Sequence, residues 1–303
     1  MLLKEKKKKK RFIIPEIPKG NKARPFSIGN GFTIPENLVR ILNNHGFDQN
    51  EYDGSFIIPP QIYPERSFLK RFIPWQALLF SNNVIIHAKD TLILNESGTV
   101  NKVCANNLAY LKLNHCLLSI KLNIVCSTNE IANQIEVEFS FTSYEILEPN
   151  LDRFLKAGLH ECKALDGEKS AYDRLKNIPE KYRNGVYAYI IRKDEALLDF
   201  IYLPGLVYRF GFIKKSLTPN ILFAITGRQL FIFEDDLSCV GLYTRIVTFI
   251  PIDNVNSISF EKQKRFTSVI IKIKKDNISE ELLFGIEDKY TDDVKSLLTA
   301  VIK

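Results

Sequence analysis

The sequence lacks the signatures of most recognisable catalytic sites. Its 14 glycines form no Gly-x-Gly-x-x-Gly and no Gly-Lys-Ser/Thr, so no glycine-rich loop is placed to cradle a phosphate. There is no Gly-x-Ser-x-Gly elbow, and none of the four histidines stands near a serine or cysteine in a nucleophile motif. No run of 18 or more apolar residues occurs, so no membrane span is expected. The basic N-terminus is followed by FIIPEIPKGNKARP, broken by proline and charge where a signal peptide would be apolar, so no secretory signal is expected. The five cysteines, Cys104, Cys116, Cys126, Cys162 and Cys239, form no Cys-x-x-Cys, which predicts a reducing, cytoplasmic setting. Zinc needs tight ligand pairs. Only His160-x-Cys162 comes close, and it has no matching pair. His115 and Cys116 are adjacent in a predicted strand and so point to opposite faces. No metal or cofactor is expected.

Charge of one sign is also missing from most of the chain. The net charge is +7, but the first eleven residues, MLLKEKKKKKR, hold seven basic and one acidic side chain. The other 292 residues hold 35 basic against 34 acidic side chains. The basic character thus belongs to a tail, and no nucleic-acid partner is expected of the folded body. The tail itself is a solvated cationic block that an anionic membrane surface would attract.

What is present is β-structure. Thr33-Ile34-Pro35-Glu36 reads as a capping box opening a helix with Leu38, Ile41 and Leu42 on one face, stopped by Asn43, Asn44 and Gly46. Pro59, Pro60, Pro64 and Pro74 punctuate an extended approach. Short segments rich in Ile, Val, Leu and Phe then follow: QALLF, NVIIHA, TLILN, AYLKL, CLLSIKLNIV and IEVEFSF, all reading as strands. Pro149 suits the first turn of a helix ending near Gly158. Residues 159–186 are polar and read as a linker. Strand character returns in AYIIR, ILFAIT, QLFIFED, YTRIVTFIP, VNSISFE, SVIIKIKK and ELLFGIE. A last helix carries Val294, Leu297, Leu298 and Val301 at i, i+3, i+4 and i+7.

The two halves repeat one order, several strands and then a helix. QALLF-SNN-VIIHAKD echoes FAIT-GRQ-LFIFEDD, with Phe80 and Ile225 lying 145 residues apart. Over residues 187–303 the pattern resembles the pleckstrin-homology-like fold in its bacterial form, and 76–160 resembles a more diverged copy. The resemblance rests on LFAITGRQLFIFEDD, on YTRIVTFIPIDNVNSISFEK with its Ile-Pro-Ile-Asp turn, and on the SVIIKIKK/ELLFGIE hairpin before the final helix. It implies seven antiparallel strands in two sheets, closed by a C-terminal helix. The expected protein is therefore mainly β (α+β), with two such β-barrel or sandwich units. Its parts are a basic tail (1–30), a helical and Pro-rich extension (31–75), a first unit (76–160), a linker (161–186) and a second unit (187–303). The resemblance does not imply lipid binding, because Arg209, Lys214 and Lys215 lack the close spacing of phosphoinositide sites.

Two regions stand out as candidate contact sites. ALLDFIYLPGLVYRFGFI (196–213) carries Phe200, Tyr202, Tyr208, Phe210 and Phe212, either packed inside or exposed as an apolar ledge. Lys262, Lys264, Arg265, Lys272 and Lys274 form a candidate anion or lipid patch, with Val269, Ile271 and Ile273 on the opposite face of the strand. Glu234-Asp235-Asp236 could hold a cation or serve as acid and base, and a solvated loop is the plainer account. The expected function is a non-enzymatic intracellular binding or scaffold protein with a protein partner. The alternatives are a peripheral binder at the inner face of a membrane, using the lysine tail and the 196–213 segment, and an enzyme of unrecognised type.

Overall fold

A computed structural model describes residues 25, 33–64, 70–91, 97–116, 119–127, 133–158, 169–193, 195–210, 213–237 and 244–299. The basic tail apart from Pro25, the expected strand TLILN beyond Thr91, His160, Cys162, Phe212, Cys239 and Val301 lie outside the described residues.

The first series of elements runs α1 (Glu36–Asn44), β1 (Gly54–Ile58), the hairpin β2 (Gln61–Pro64) and β3 (Lys70–Ile73), β4 (Gln76–Ser81), β5 (Val84–Lys89) and β6 (Thr99–Cys104). A meander follows, β7 (Leu108–Cys116), β8 (Ser119–Cys126) and β9 (Asn133–Ser140), and then α2 (Tyr144–Gly158). After α3 (Lys169–Arg174) the same order recurs. It runs α4 (Glu180–Tyr189), β10 (Leu197–Leu203), the hairpin β11 (Val207–Phe210) and β12 (Ile213–Ser216), β13 (Ile221–Thr226), β14 (Gln229–Glu234) and β15 (Arg245–Pro251). The meander β16 (Val255–Lys262), β17 (Thr267–Lys275) and β18 (Ile278–Ile286) leads to α5 (Thr291–Thr299). The fold is mainly β. Equivalent strands keep a near-constant spacing: Gln76 and Ile221 open β4 and β13 at 145 residues, and Leu108 and Val255 open β7 and β16 at 147.

By contacts the chain divides into one unit of residues 1–102 with 143–150 and another of 103–142 with 151–303. In the first, a four-stranded sheet has the order β1-β4-β5-β6. One face carries Ile57, Ala77, Leu79, Ile86 and Ala88, and α1 covers it with Leu38, Ile41 and Leu42. In the second, seven strands form one sheet, β10-β13-β14-β15-β7-β8-β9. One face of this sheet meets α4: the Tyr182 ring lies 5.1 Å from Phe233, and Tyr189 lies 6.0 Å from Phe231 and 5.9 Å from Phe249. Phe223, Leu230, Ile232 and Ile250 instead join a core with Val269, Ile271, Phe284 and the α5 residues Val294, Leu297 and Leu298. The alternation expected in β17 holds, since Val269, Ile271 and Ile273 are buried while Lys272 and Lys274 are exposed.

Several local expectations need correction. Thr33 makes no cap: Pro35 is the N-cap of α1, extended at φ −53° and ψ 137°, and its carbonyl accepts from the Leu38 and Val39 amides. The C-terminal stop does form. Gly46 sits at φ 76°, its amide bonds to Asn43 O and that of Phe47 to Leu42 O, closing a Schellman motif. Pro149 stands inside α2 rather than in its first turn, because the helix begins at Tyr144. The Pro-rich approach contains a strand, GSFII, paired to β4 with Phe56 opposite Leu78. The expected linker holds α3 and most of α4, which runs on into AYIIR, expected as a strand but helical here; Tyr182, Val186 and Tyr189 are buried at helical spacing among Lys, Arg and Asn. The meander expected in the first unit, β7–β9, is bonded through β7 to β15, with Leu111 opposite Phe249 and His115 opposite Arg245. Among the described residues no sheet closes into a barrel.

Candidate functional site

The aromatic segment divides between inside and outside. In β10 Leu197, Phe200 and Leu203 are buried, and the Arg174 guanidinium lies 5.0 Å over the Phe200 ring. Arg174 also pairs with Asp199. Tyr202 is half-buried, its ring 4.8 Å from Tyr182 and its hydroxyl donating to Asn220 Oδ1. These two side chains belong to the packing, not to a ledge. Beyond Pro204-Gly205 the chain enters β11 and the exposure changes: Val207 is 48% and Tyr208 38% exposed. Phe210 lies in β11, opposite Ile213.

The five cations also separate. Lys262 ends β16, while Lys264 and Arg265 occupy the turn to β17. Lys272 and Lys274 sit further along β17. At about 3.3 Å per residue, Lys274 is roughly 25 Å of strand from the turn. Lys272 faces Glu281 across the ladder at 2.9 Å, and Lys262 lies 3.7 Å from Asp288. The turn gains a different neighbour. The Arg265 guanidinium lies 4.1 Å over the Tyr208 ring, joining the β11–β12 hairpin to the β16–β17 turn. Lys215, exposed, stands opposite Tyr208 in the hairpin. Just past β12, Thr218 packs so close to Gly285 that a Cβ there would meet its methyl at 2.9 Å. Leu283, two residues along the same face of β18, is 65% exposed. Sequence reading flagged both regions but not their contact, which joins residues 57 apart.

A second constellation surrounds the acidic run, which is tied down rather than solvated. Asp235 accepts from Lys181 Nζ at 2.5 Å and from Asn220 Nδ2 at 2.6 Å. Lys181 also donates to Thr244 O, and Tyr182 to Asn220 O. Asp236 is buried, and its carbonyl accepts from the Thr244 hydroxyl. Burial pushes the Glu234 carboxyl up to about 7, the Lys112 cation partly opposing this and the neighbouring Asp236 and Asp235 adding to it. Such a carboxyl can exchange a proton near neutrality. Among the described residues, no group of three or more His, Cys, Asp and Glu is placed to hold a metal. Lys181 and Asn220, the anchors of the run, escaped sequence reasoning because both sit in otherwise unremarkable polar stretches.

Two buried histidines, His87 and His115, are held as neutral rings. His87 Nε2 meets Gln76 Oε1 at 2.9 Å, and burial, helped by Lys89, lowers its pKa to about 4. His115 Nε2 meets the Tyr189 hydroxyl at 3.3 Å, and burial, helped by Arg245, lowers it to about 3. Burial pushes the Cys126 thiol up to about 12, too high for a thiolate at neutral pH. Cys104 and Cys126 are free thiols, whereas Cys116 is disulfide-bonded.

No protein-family model matches the chain, and no curated protein matches it in sequence. Among the described residues, no helix is long and apolar enough to cross a membrane.

Proposed function

We propose that the chain is a non-enzymatic binding module of two pleckstrin-homology-like units that engages a protein partner. The fold part of this reading draws on the doubled order of elements. Each series has four strands with an inserted hairpin, then a three-stranded meander and a closing helix, the inventory that the resemblance implies. The binding part is carried by one observation: Arg265 stacked on exposed Tyr208, where the two flagged regions meet. Tyrosine and arginine are the side chains most often central to protein interfaces. Exposed Val207 and Leu283 supply apolar area beside them. The test is affinity capture from lysate with the full chain and with a variant carrying Tyr208→Ser, Arg265→Ala and Leu283→Ser. The expected result is a stoichiometric protein retained by the wild type and lost by the variant. Capture that is absent, or equal in both, overturns the reading.

A second reading, peripheral contact with an anionic membrane, uses the exposed cations Lys215, Lys264 and Arg265 around the same ring. It predicts sedimentation with anionic but not neutral vesicles, weakening as salt rises. Recovery in the supernatant with both lipids at low salt ends it.

A further inference from the structure

β7 and β16 are equivalent strands, each opening the meander of its series, yet their edges differ. β7 is bonded to β8 on one side and to β15 on the other. Under that double pairing Leu111 and Leu113 are fully buried. β16 is bonded to β17 and ends its sheet among the described residues. Its residues 147 further on, Ile258 and Phe260, pack against the core of Val269, Ile271 and Phe284 but stay half-buried. β16 carries no charge before Glu261. An open edge of that length normally bears a lysine, a proline or a bulge in its middle as protection. The bulge here lies near the strand's start, between Val255 and Ser257, leaving Ile258–Phe260 in plain register.

The counterpart of β15 in the first series is β6, which also ends its sheet among the described residues. Val100 of β6 packs toward α1, on the face that Val247 and Phe249 occupy in the second series, and the 3-10 turns that follow the two strands, Ala105–Asn107 and Ile252–Asn254, set the equivalence at 147 residues. Among the described residues, β6 and β16 thus each end a sheet as one half of a second junction of the β15–β7 kind.

We propose that β6 of one molecule adds antiparallel to β16 of a second copy, repeating between chains the pairing that β15 and β7 make within one. Carrying the register across sets Val100 opposite Phe260, as Val247 stands opposite Leu113. Asn101 then faces Ser259, Thr99 faces Glu261, and Lys102 faces Ile258. The first pair is apolar and the next two are polar. Lys102 is the exception, because it stands where β15 has Phe249. A lysine there keeps the contact weak and dependent on concentration. The contact joins unlike surfaces, so successive copies lead either to a closed ring or to an open file. It does not use Tyr208 or Arg265, so this inference and the proposed partner surface can fail independently.

Sedimentation velocity on the full chain over a concentration series tests it. The wild type is expected to rise above the 34.9 kDa monomer as concentration increases. Lys102→Phe, which copies β15, tightens association by roughly tenfold or more. Thr99→Glu, which sets two acids opposite each other at exposed positions, weakens it by about fivefold, and adding Glu261→Lys to that variant restores it. All three positions are exposed, so folding is not at stake. A Lys102→Phe protein that stays monomeric at every concentration overturns the proposal. So does an association that is indifferent to Thr99→Glu and its Glu261→Lys partner.

Discussion

The two helix-on-sheet layers make the same shape from opposite distributions of bulk. In the first series the sheet offers small Ala77 and Ala88, and the helix brings Ile41 between Leu38 and Leu42. In the second, Phe233 stands 145 residues after Ala88, and Gly185 stands 144 after Ile41. A Cβ on Gly185 would lie 2.8 Å from the Phe233 ring. The large residue has moved from helix to sheet, and the helix has given up its side chain to admit it. Volume is what the layer fixes; which element supplies it is open. The opposite faces of the same strands differ in polarity. His87 and Gln76 pair where the second series has Ile232 and Ile221. A hydrogen-bonded polar pair thus fills a site that two aliphatic side chains fill elsewhere.

The volume exchange gives the largest expected effects. Phe233→Ala should cost about 3–5 kcal/mol and Gly185→Ile about 3, read from urea denaturation. The double variant, which copies the first series, should lose about 1–3 kcal/mol less than the sum of the two. Strict additivity would break the comparison.

The polar pair makes acid sensitivity a property of the first series that its counterpart positions lack. His87 titrates near 4 in the folded chain against 6.5 unfolded. Between those values the unfolded chain binds more protons, so stability falls as pH drops below 6.5, by about 3 kcal/mol at pH 4. His115, lowered to about 3, adds a similar loss. Replacing His87 and Gln76 together by Ile should remove the first share, visible as a smaller drop in urea midpoint between pH 7 and pH 4. An unchanged drop would mean that the ring is not held neutral.

Glu234 runs in the opposite sense and sits where the first series has Lys89. Its folded pKa of about 7 exceeds the unfolded 4.5, so the folded chain holds the extra proton and stability falls as pH rises through that window. Glu234→Gln should gain about 1–3 kcal/mol at pH 8 and nothing at pH 4.5, measured by thermal melts at both values. The smallest effect belongs to the surface. Lys272→Ala removes an exposed ion pair with Glu281 and should change stability by less than about 1 kcal/mol.

Local patterns were readable in the sequence wherever neighbours in the chain are neighbours in space. The alternation of β17 and the buried stripe of α5 both follow from spacing alone. α4 was hidden because Gly185 and its charged neighbours break the apolar stripe, and the glycine is there to admit Phe233. The strand GSFII was masked by the prolines that follow it. The partner of β7 had no local signal, since pairing with β15 depends on which edges remain open. The candidate site fared similarly: Arg265 was legible as part of a cation patch and Tyr208 as either packed or exposed, but their contact is a product of topology.

The pairing of β7 with β15 also sets a timetable. Leu111 and Phe249 are 138 residues apart, so the loop that joins them closes only after most of the chain exists. On a ribosome adding about 5–20 residues per second, β15 emerges roughly 10 s after β7 is finished. For that interval β7, carrying Leu111 and Leu113, presents an uncovered ladder to every other nascent chain nearby. Slowing translation between residues 116 and 245 would lengthen this exposure, and a chaperone that shields extended segments would have its best target there.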